Sequence, residues 1–333
     1  MLKTLKYLAI AIGVLIGAGA IWFWSIAVTS LSREDLALYD YDTLVLPDGM
    51  NVNYRVQGNP QGQTLLMVHG GGGSIDDWNV WLPTLEPDYY IVSIDLPGHG
   101  LTDPLPDDDY GPKRFAVFIK DVVAALDLQD FVIVGHSFGG DSVVRYVLDN
   151  PDTPVAMVLV SSGGFMPRDD QISDTEKELL EWAANPVVQK LLPFLQDRAS
   201  VKEGMESYFH DASVNTEAYT DKVYNLLRYE KNRGVLVKLL VHSIAGYTDV
   251  SGLDRIGIPT LILWGDKDTI ALPEFAYRFE SELPNATLRM YPGVGHMLMM
   301  ENPDESVNDL RAFLSEIESP AQPHSEASGT LPE

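Results

Sequence analysis

Three short stretches of this 333-residue chain hold side chains that could do chemistry together. Gly135-His136-Ser137-Phe138-Gly139 matches the pattern G-x-S-x-G, directly after an apolar run and directly before a helical one. The pentapeptide alone also fits a plain glycine-rich turn. Its context gives it weight, because a serine at a sharp strand-to-helix turn is lifted clear of the sheet beside a helix N-terminus that favours an anionic intermediate. A serine nucleophile needs a base. Of the seven histidines, His324 lies in the C-terminal tail and His210 and His242 in a long helical stretch. His69, His99 and His136 sit inside glycine-bearing strand-end motifs, where backbone shape explains them. That leaves His296, in Pro292-Gly293-Val294-Gly295-His296 after the last apolar run. The base in turn needs a carboxylate to fix its tautomer and stabilise its imidazolium form. Trp264-Gly265-Asp266-Lys267-Asp268 offers Asp266 or Asp268 after another run. The chemistry implied is nucleophilic attack by a serine activated by a histidine and a carboxylate.

The elements that must position these groups are legible as alternating strands and helices. Leu65 to Val68, Tyr90 to Ile94, Phe131 to Val134, Val155 to Val160, Thr260 to Trp264 and Thr287 to Tyr291 are short, nearly continuous apolar runs. Such runs predict strands of a parallel sheet buried on both faces. Arg114 to Leu126, with Phe115, Phe118, Val122 and Leu126 recurring at helical spacing, reads as a helix, as do Ser142 to Leu148 and Glu274 to Leu283. The alternation predicts a doubly wound α/β sheet. Between Gly164 and Ser251 the pattern is helical throughout, with caps or breaks at Ser173-Asp174, Asn185-Pro186, Asn215-Thr216 and Asn232-Arg233-Gly234. This predicts a helical insertion, a lid.

Together, HGGGG at 69–73, DLPGHG at 95–100, GHSFGG at 135–140, WGDKD at 264–268 and GVGH at 293–296 resemble the serine α/β-hydrolase superfamily, from about Leu44 to Glu318. Within it the chain looks most like membrane-anchored, lid-bearing bacterial esterases and lipases. The resemblance implies a Ser137, Asp268, His296 triad, with Asp268 preferred over Asp266 as the last residue of G-x-x-D. It also implies an oxyanion hole from the backbone N–H groups of Gly71 and Phe138. Ser137 stands where haloalkane dehalogenases and epoxide hydrolases of this superfamily carry Asp. The activity implied is hydrolysis of carboxylic esters, with C–C bond hydrolysis, N-terminal aminopeptidase activity or a non-catalytic binding role as the alternatives. Arg233 is the residue that could hold a substrate carboxylate in a C–C hydrolase, and Glu203, Glu206 and Glu230 are those that could hold an amine in a peptidase. The insertion is rich in aromatics (Phe165, Trp182, Phe194, Tyr208, Phe209, Tyr219, Tyr224, Tyr229 and Tyr247), which favours an apolar acyl or aryl pocket.

Composition excludes several classes. The net charge of −25 disfavours nucleic acid and polyanionic substrates. The absence of cysteine excludes disulfides, a thiol nucleophile and thiolate metal sites. Nothing in the pattern calls for a cofactor or a catalytic metal, since no HExxH or dense His/Asp cluster occurs. Tyr7 to Ser32 carries no charge, and its core, Leu8 to Val28, has 21 residues, enough at about 1.5 Å each to span a hydrocarbon layer of roughly 30 Å. Lys3 and Lys6 precede it, and Trp22, Phe23 and Trp24 lie near its far end, where the headgroup region favours such rings. A retained N-terminal anchor is the expectation, with the catalytic bulk periplasmic or extracellular. A cleaved signal ending at Ala18-Gly19-Ala20 is the competing reading, but it would leave Ile21-Trp22-Phe23-Trp24 exposed. The organisation expected is an anchor over 1–32, a first core part over 40–163, a lid over 164–251, a second core part over 252–318 and a disordered tail over 319–333, with a small apolar ester and the lipid bilayer as partners.

Overall fold

The computed structural model describes residues 13–14, 16–19, 30–167, 182, 184–245 and 248–318. Each expected apolar run forms a strand, and two more precede them. In chain order the strands are β1 (Asp42–Val45), β2 (Asn51–Gly58), β3 (Thr64–Val68), β4 (Tyr90–Ile94), β5 (Phe131–His136), β6 (Pro154–Val160), β7 (Thr260–Gly265) and β8 (Ala286–Tyr291). They make one eight-stranded sheet in the order β1-β2-β4-β3-β5-β6-β7-β8. The β1–β2 and β2–β4 pairings are antiparallel, and every pairing from β4 to β8 is parallel. The first two strands escape the apolar-run reading because β1 is largely exposed and only Val52 and Asn53 of β2 are fully buried. They form an antiparallel ribbon at the edge of the sheet, where continuous apolar character is not required.

The six inner strands send alternate residues to opposite faces. Leu66, Val68, Ile133, Leu159 and Ile262 join one buried cluster, while Leu65, Met67, Val134, Val158 and Leu263 join another. The first face is covered by α1 (Pro112–Ala125), α2 (Ser137–Asp149) and, later in the chain, the helix Pro273–Glu282, through Phe118, Val122, Val144, Val147 and Phe279. The second is covered by Trp78, Trp81 and the turn Leu82–Leu85, together with the last helix, Pro303–Glu318, through Leu310 and Leu314. Each such side chain contributes about 1.5–3 kcal/mol by leaving water, so both faces hold the sheet rigid beneath the loops at its carboxyl ends.

Between β6 and β7 run α3 (Pro186–Leu195), α4 (Arg198–Glu206), α5 (Glu217–Leu227) and α6 (Val235–Ala245). Their starts follow ordinary capping chemistry. Asn185, Asp197 and Thr216 accept backbone N–H groups of the first turns of α3, α4 and α5. The expected break at Ser173-Asp174 and the expected tail over 319–333 lie outside the described residues. The expected anchor over 1–32 does too, apart from 13–14, 16–19 and 30–32. Among the described residues no helix is long and apolar enough to cross a membrane. Two longer helices, α7 (Pro273–Glu282) and α8 (Pro303–Glu318), follow β7 and β8.

Candidate active site

Ser137 sits at the joint of β5 and α2 with φ of +51°, the left-handed region that a side chain adopts only under strain. The turn closes that tightly because the positions two residues to either side carry no side chain. A Cβ at Gly139 would stand 2.2 Å from the His69 carbonyl oxygen, and one at Gly135 would stand 2.7 Å from Gly140 Cα. The result is a serine raised at the carboxyl end of a central strand, where open α/β sheets place their ligands.

Two other strand ends bring partners to it. The loop after β8 carries His296, whose Nε2 lies 2.9 Å from Ser137 Oγ. The loop after β7 carries Asp268, whose Oδ2 lies 2.8 Å from His296 Nδ1. Asp268 Oδ1 accepts the N–H groups of Ile270 and Ala271, both at 2.9 Å, so its carboxylate is held in place. With Nδ1–H donating to Asp268, Nε2 keeps its lone pair for the Ser137 hydroxyl proton. Asp268 and His296 are both buried. Asp266, the alternative acid, accepts the Gly293 N–H at 2.6 Å and pairs with Lys267 at the surface. The two aspartates thus have different neighbours, and it is Asp268 that meets the histidine.

The glycine loop after β3 lies beside the serine. A Cβ on Gly70 would come within 2.9 Å of Ser137 Cβ, and one on Gly71 within 3.8 Å of Phe138 Cβ. The Phe138 N–H belongs to the first turn of α2, whose amides have no partner within the helix. Gly71 and Phe138, the two residues whose amides are expected to receive an oxyanion, are therefore neighbours in space. His69 sets this loop. Its Nε2 accepts the Leu96 N–H at 3.0 Å, so Nδ1 carries the proton and donates to the Gly70 carbonyl at 2.7 Å. His136 donates from Nε2 to the His296 carbonyl at 3.2 Å. Burial pushes both imidazoles down to about 3, helped by His99 beside the first and His296 beside the second, so both stay neutral. The sequence reading leaves His69 and His136 to backbone shape. The structure gives each a hydrogen bond to the residues around Ser137.

Above Ser137 lies a cavity of about 200 Å³. Val201, Met205, Val223, Leu227, Leu236 and Met297 supply apolar wall, and all but the last come from the helices between β6 and β7. Of the nine aromatics singled out in that segment, Tyr208 and Tyr219 line the cavity. Phe165 instead packs on Phe275 and Phe279, Phe209 and Tyr229 are buried elsewhere, Phe194 and Tyr224 lie under Arg233 and Arg228, Trp182 is exposed, and Tyr247 lies outside the described residues. Arg233 does not line the cavity. It donates to the Pro193 carbonyl and to Ser30 Oγ. Glu203, Glu206 and Glu230 do not line it either. No group of His, Asp or Glu among the described residues is arranged to hold a metal ion.

Two polar features give no signal in the sequence, since each joins residues far apart in the chain. Asp77, buried under the glycine loop, accepts Lys222 Nζ at 2.9 Å, Tyr219 OH at 3.2 Å and the Ser74 N–H at 3.1 Å. Burial alone would raise its carboxyl, but the Lys222 ammonium, with the Ser74 N–H adding to it, holds Asp77 below the usual carboxylate range. Glu301 accepts Gly295 N–H on one oxygen and His210 and Asp211 N–H on the other, at 2.9–3.1 Å. It thereby clamps the His296 loop to the segment after α4. The Tyr208 carbonyl reinforces the clamp by accepting the N–H groups of His296 and Met297.

Comparison with known proteins agrees with this architecture. The chain is 27% identical over 292 residues to Lipase 1 of Psychrobacter immobilis, covering 86% of this chain and 87% of that one. It is 27% identical over 270 residues to a 2-hydroxy-6-oxononadienedioate/2-hydroxy-6-oxononatrienedioate hydrolase of Cupriavidus pinatubonensis, covering 78% of this chain and 90% of that one. Among solved structures, an esterase from Exiguobacterium antarcticum superposes with a TM-score of 0.69 over 84% of this chain and all of that one, at 20% identity, a likeness of fold alone. Residues 63–303 match the family defined by the alpha/beta hydrolase fold, and with the sheet order and strand-end loops described above, the chain belongs to that family.

Proposed function

We propose that this protein is a serine hydrolase that cleaves carboxylic esters through an acyl-enzyme on Ser137. The observation that carries the proposal is the continuous line of hydrogen bonds from Asp268 through His296 to the strained Ser137, at the floor of a largely apolar cavity. In this reading His296 takes the Ser137 proton as Oγ attacks the ester carbon and returns it to the departing alcohol. Asp268 holds the imidazole in the right tautomer and stabilises its cation. The amides of Gly71 and Phe138 receive the oxyanion, each contributing roughly 3–4 kcal/mol to the transition state. Water, deprotonated by His296, then releases the acid. The helices between β6 and β7, within 164–251, act as a lid over the two core parts, 40–163 and 252–318. Residues 8–28 anchor the protein to the bilayer, with the catalytic bulk in the periplasm or outside the cell.

An ester is favoured over the dienedioate substrate in the name of one relative. No arginine or lysine is among the described residues lining the cavity, and Arg233 is engaged with Ser30 and Pro193. The cavity is smaller than the roughly 300–1,000 Å³ of sites for drug-sized ligands, which suits a short or medium acyl chain. The test is a chain-length series of nitrophenyl esters combined with a fluorophosphonate probe. Activity should peak between about four and eight acyl carbons, each buried CH₂ contributing up to about 0.8 kcal/mol until the pocket is full. The probe should label the wild type and not Ser137→Ala. Labelling that persists in Ser137→Ala removes Ser137 from the role of nucleophile. Turnover of a vinylogous 1,5-diketone or an aminoacyl amide without any ester activity replaces the ester reading with C–C or amide hydrolysis.

A further inference from the structure

The chain leaves its apolar N-terminal stretch directly onto the insertion. The Leu31 N–H donates to the Arg228 carbonyl and the Leu31 carbonyl accepts the Glu230 N–H, both at 2.9 Å, in a parallel bridge between Leu31 and Tyr229. One residue earlier, Ser30 Oγ accepts Arg233 Nη1 at 2.8 Å, and the same guanidinium reaches the Pro193 carbonyl near the end of α3. Leu31 packs against a small buried cluster that includes Leu226 and Tyr229. Between Val28, the last residue of the apolar stretch, and Ser30 stands a single residue, Thr29. Two extended residues reach at most about 7 Å, roughly the depth of one headgroup layer. There is no linker on which the body could turn away.

From this we infer that the face formed by α3 and the turn between α5 and α6 lies on the headgroups of the bilayer; the inference rests on the anchoring reading above. Two independent observations fit a lipid surface. Residues 186–245 carry eight Lys and Arg against seven Asp and Glu, in a chain that has 23 against 48 overall. That stretch is therefore close to neutral in a strongly acidic protein, although the insertion as a whole, 164–251, carries ten Lys and Arg against fourteen Asp and Glu. Arg228, Lys231 (paired with Asp103) and Arg233 gather at its turn, where an anionic leaflet meets least repulsion. The amino end of α3 is also apolar and open, with Val187 64% exposed. The face leads inward as well. A second cavity, lined by Pro193, Leu226 and Asn232, shares Gly72, Gln196, Leu227 and Leu236 with the one above Ser137.

Because the chain has no cysteine, single thiols can be placed at will. Val187→Cys on α3 and Gln129→Cys are each labelled with a nitrobenzoxadiazole dye in the full-length protein. Gln129 precedes β5, at the end of that strand opposite Ser137. Both proteins are reconstituted into phosphatidylethanolamine–phosphatidylglycerol vesicles with brominated acyl chains. The expected result is flotation with the vesicles, resistant to alkali, with a blue shift and loss of emission at position 187 and neither at position 129. Flotation with equal behaviour at the two positions overturns the membrane-facing surface and leaves the anchor standing. Failure to float overturns the anchor, and the surface with it.

Discussion

Replacing Lys222 by Met tests whether the insertion and the glycine loop are coupled through one buried ion pair. Asp77 is 1% exposed and Lys222 7% exposed, at 2.9 Å. Met keeps most of the side-chain volume, so the change isolates the charge. It leaves a buried carboxylate whose remaining donors are Tyr219 OH and the Ser74 N–H. Removing one partner of a buried pair costs about 3–5 kcal/mol, and two surviving hydrogen bonds place this case near the lower end, about 3 kcal/mol. Asp77 Oδ2 would stand 2.2 Å from a Cβ on Gly73, so the carboxylate packs directly against the loop that carries Gly71. Displacement of that loop by about 1 Å can lower turnover by up to roughly 10²-fold. Urea unfolding and kcat/KM on one ester give both readouts. The double variant Lys222→Met with Asp77→Asn removes the orphaned charge and should recover more than half of the lost stability, a coupling of about 2 kcal/mol in the double-mutant cycle. A loss below about 1 kcal/mol in Lys222→Met, or no recovery in the double variant, would refute the coupling.

Other outcomes follow from the same geometry. Asp268→Asn should lower kcat by about 10⁴-fold through the wrong histidine tautomer, whereas Asp266→Asn, whose carboxylate bonds Gly293 instead, should leave it within a few-fold; reversed results on an ester substrate would move the acid to Asp266. Glu301→Gln takes a charged acceptor from three backbone N–H groups and should lower kcat by about 10-fold or more, each such bond being worth roughly 1.5–3 kcal/mol; unchanged kcat would show that the His296 loop holds itself. Acid should destabilise the fold. Unfolded, His69, His99 and His136 bind protons near 6.5, while burial keeps them neutral in the fold down to about 3, 4 and 3. The unfolded state then binds more protons, and each histidine removes about 2 kcal/mol of stability between pH 6.5 and 5. Asp95, raised to about 7 by burial, works in the opposite sense and offsets part of this. A urea midpoint higher at pH 5 than at pH 7 would contradict the assignment of these histidines as buried and neutral.

What the sequence determined by itself was local. Apolar runs that need both faces covered located β3 to β8, and the glycines flanking Ser137 announced a turn with no room for side chains. The strand-end positions of Ser137, Asp268 and His296 are equally local, because each follows its own run within a few residues. The β1–β2 ribbon was not legible, since an edge strand with solvent on it needs no continuous apolar signal. The tertiary structure decided everything that joins distant segments. It put Asp268 on His296 and Asp266 on Gly293, a choice that the family resemblance favours but that residue type alone leaves open. It placed Lys222 against Asp77, Glu301 under the His296 loop and Arg233 on Ser30 instead of in the cavity. A side chain's charge and size are written in its own position, but its partner is set by how separate elements pack, and burial then turns that partner into a requirement.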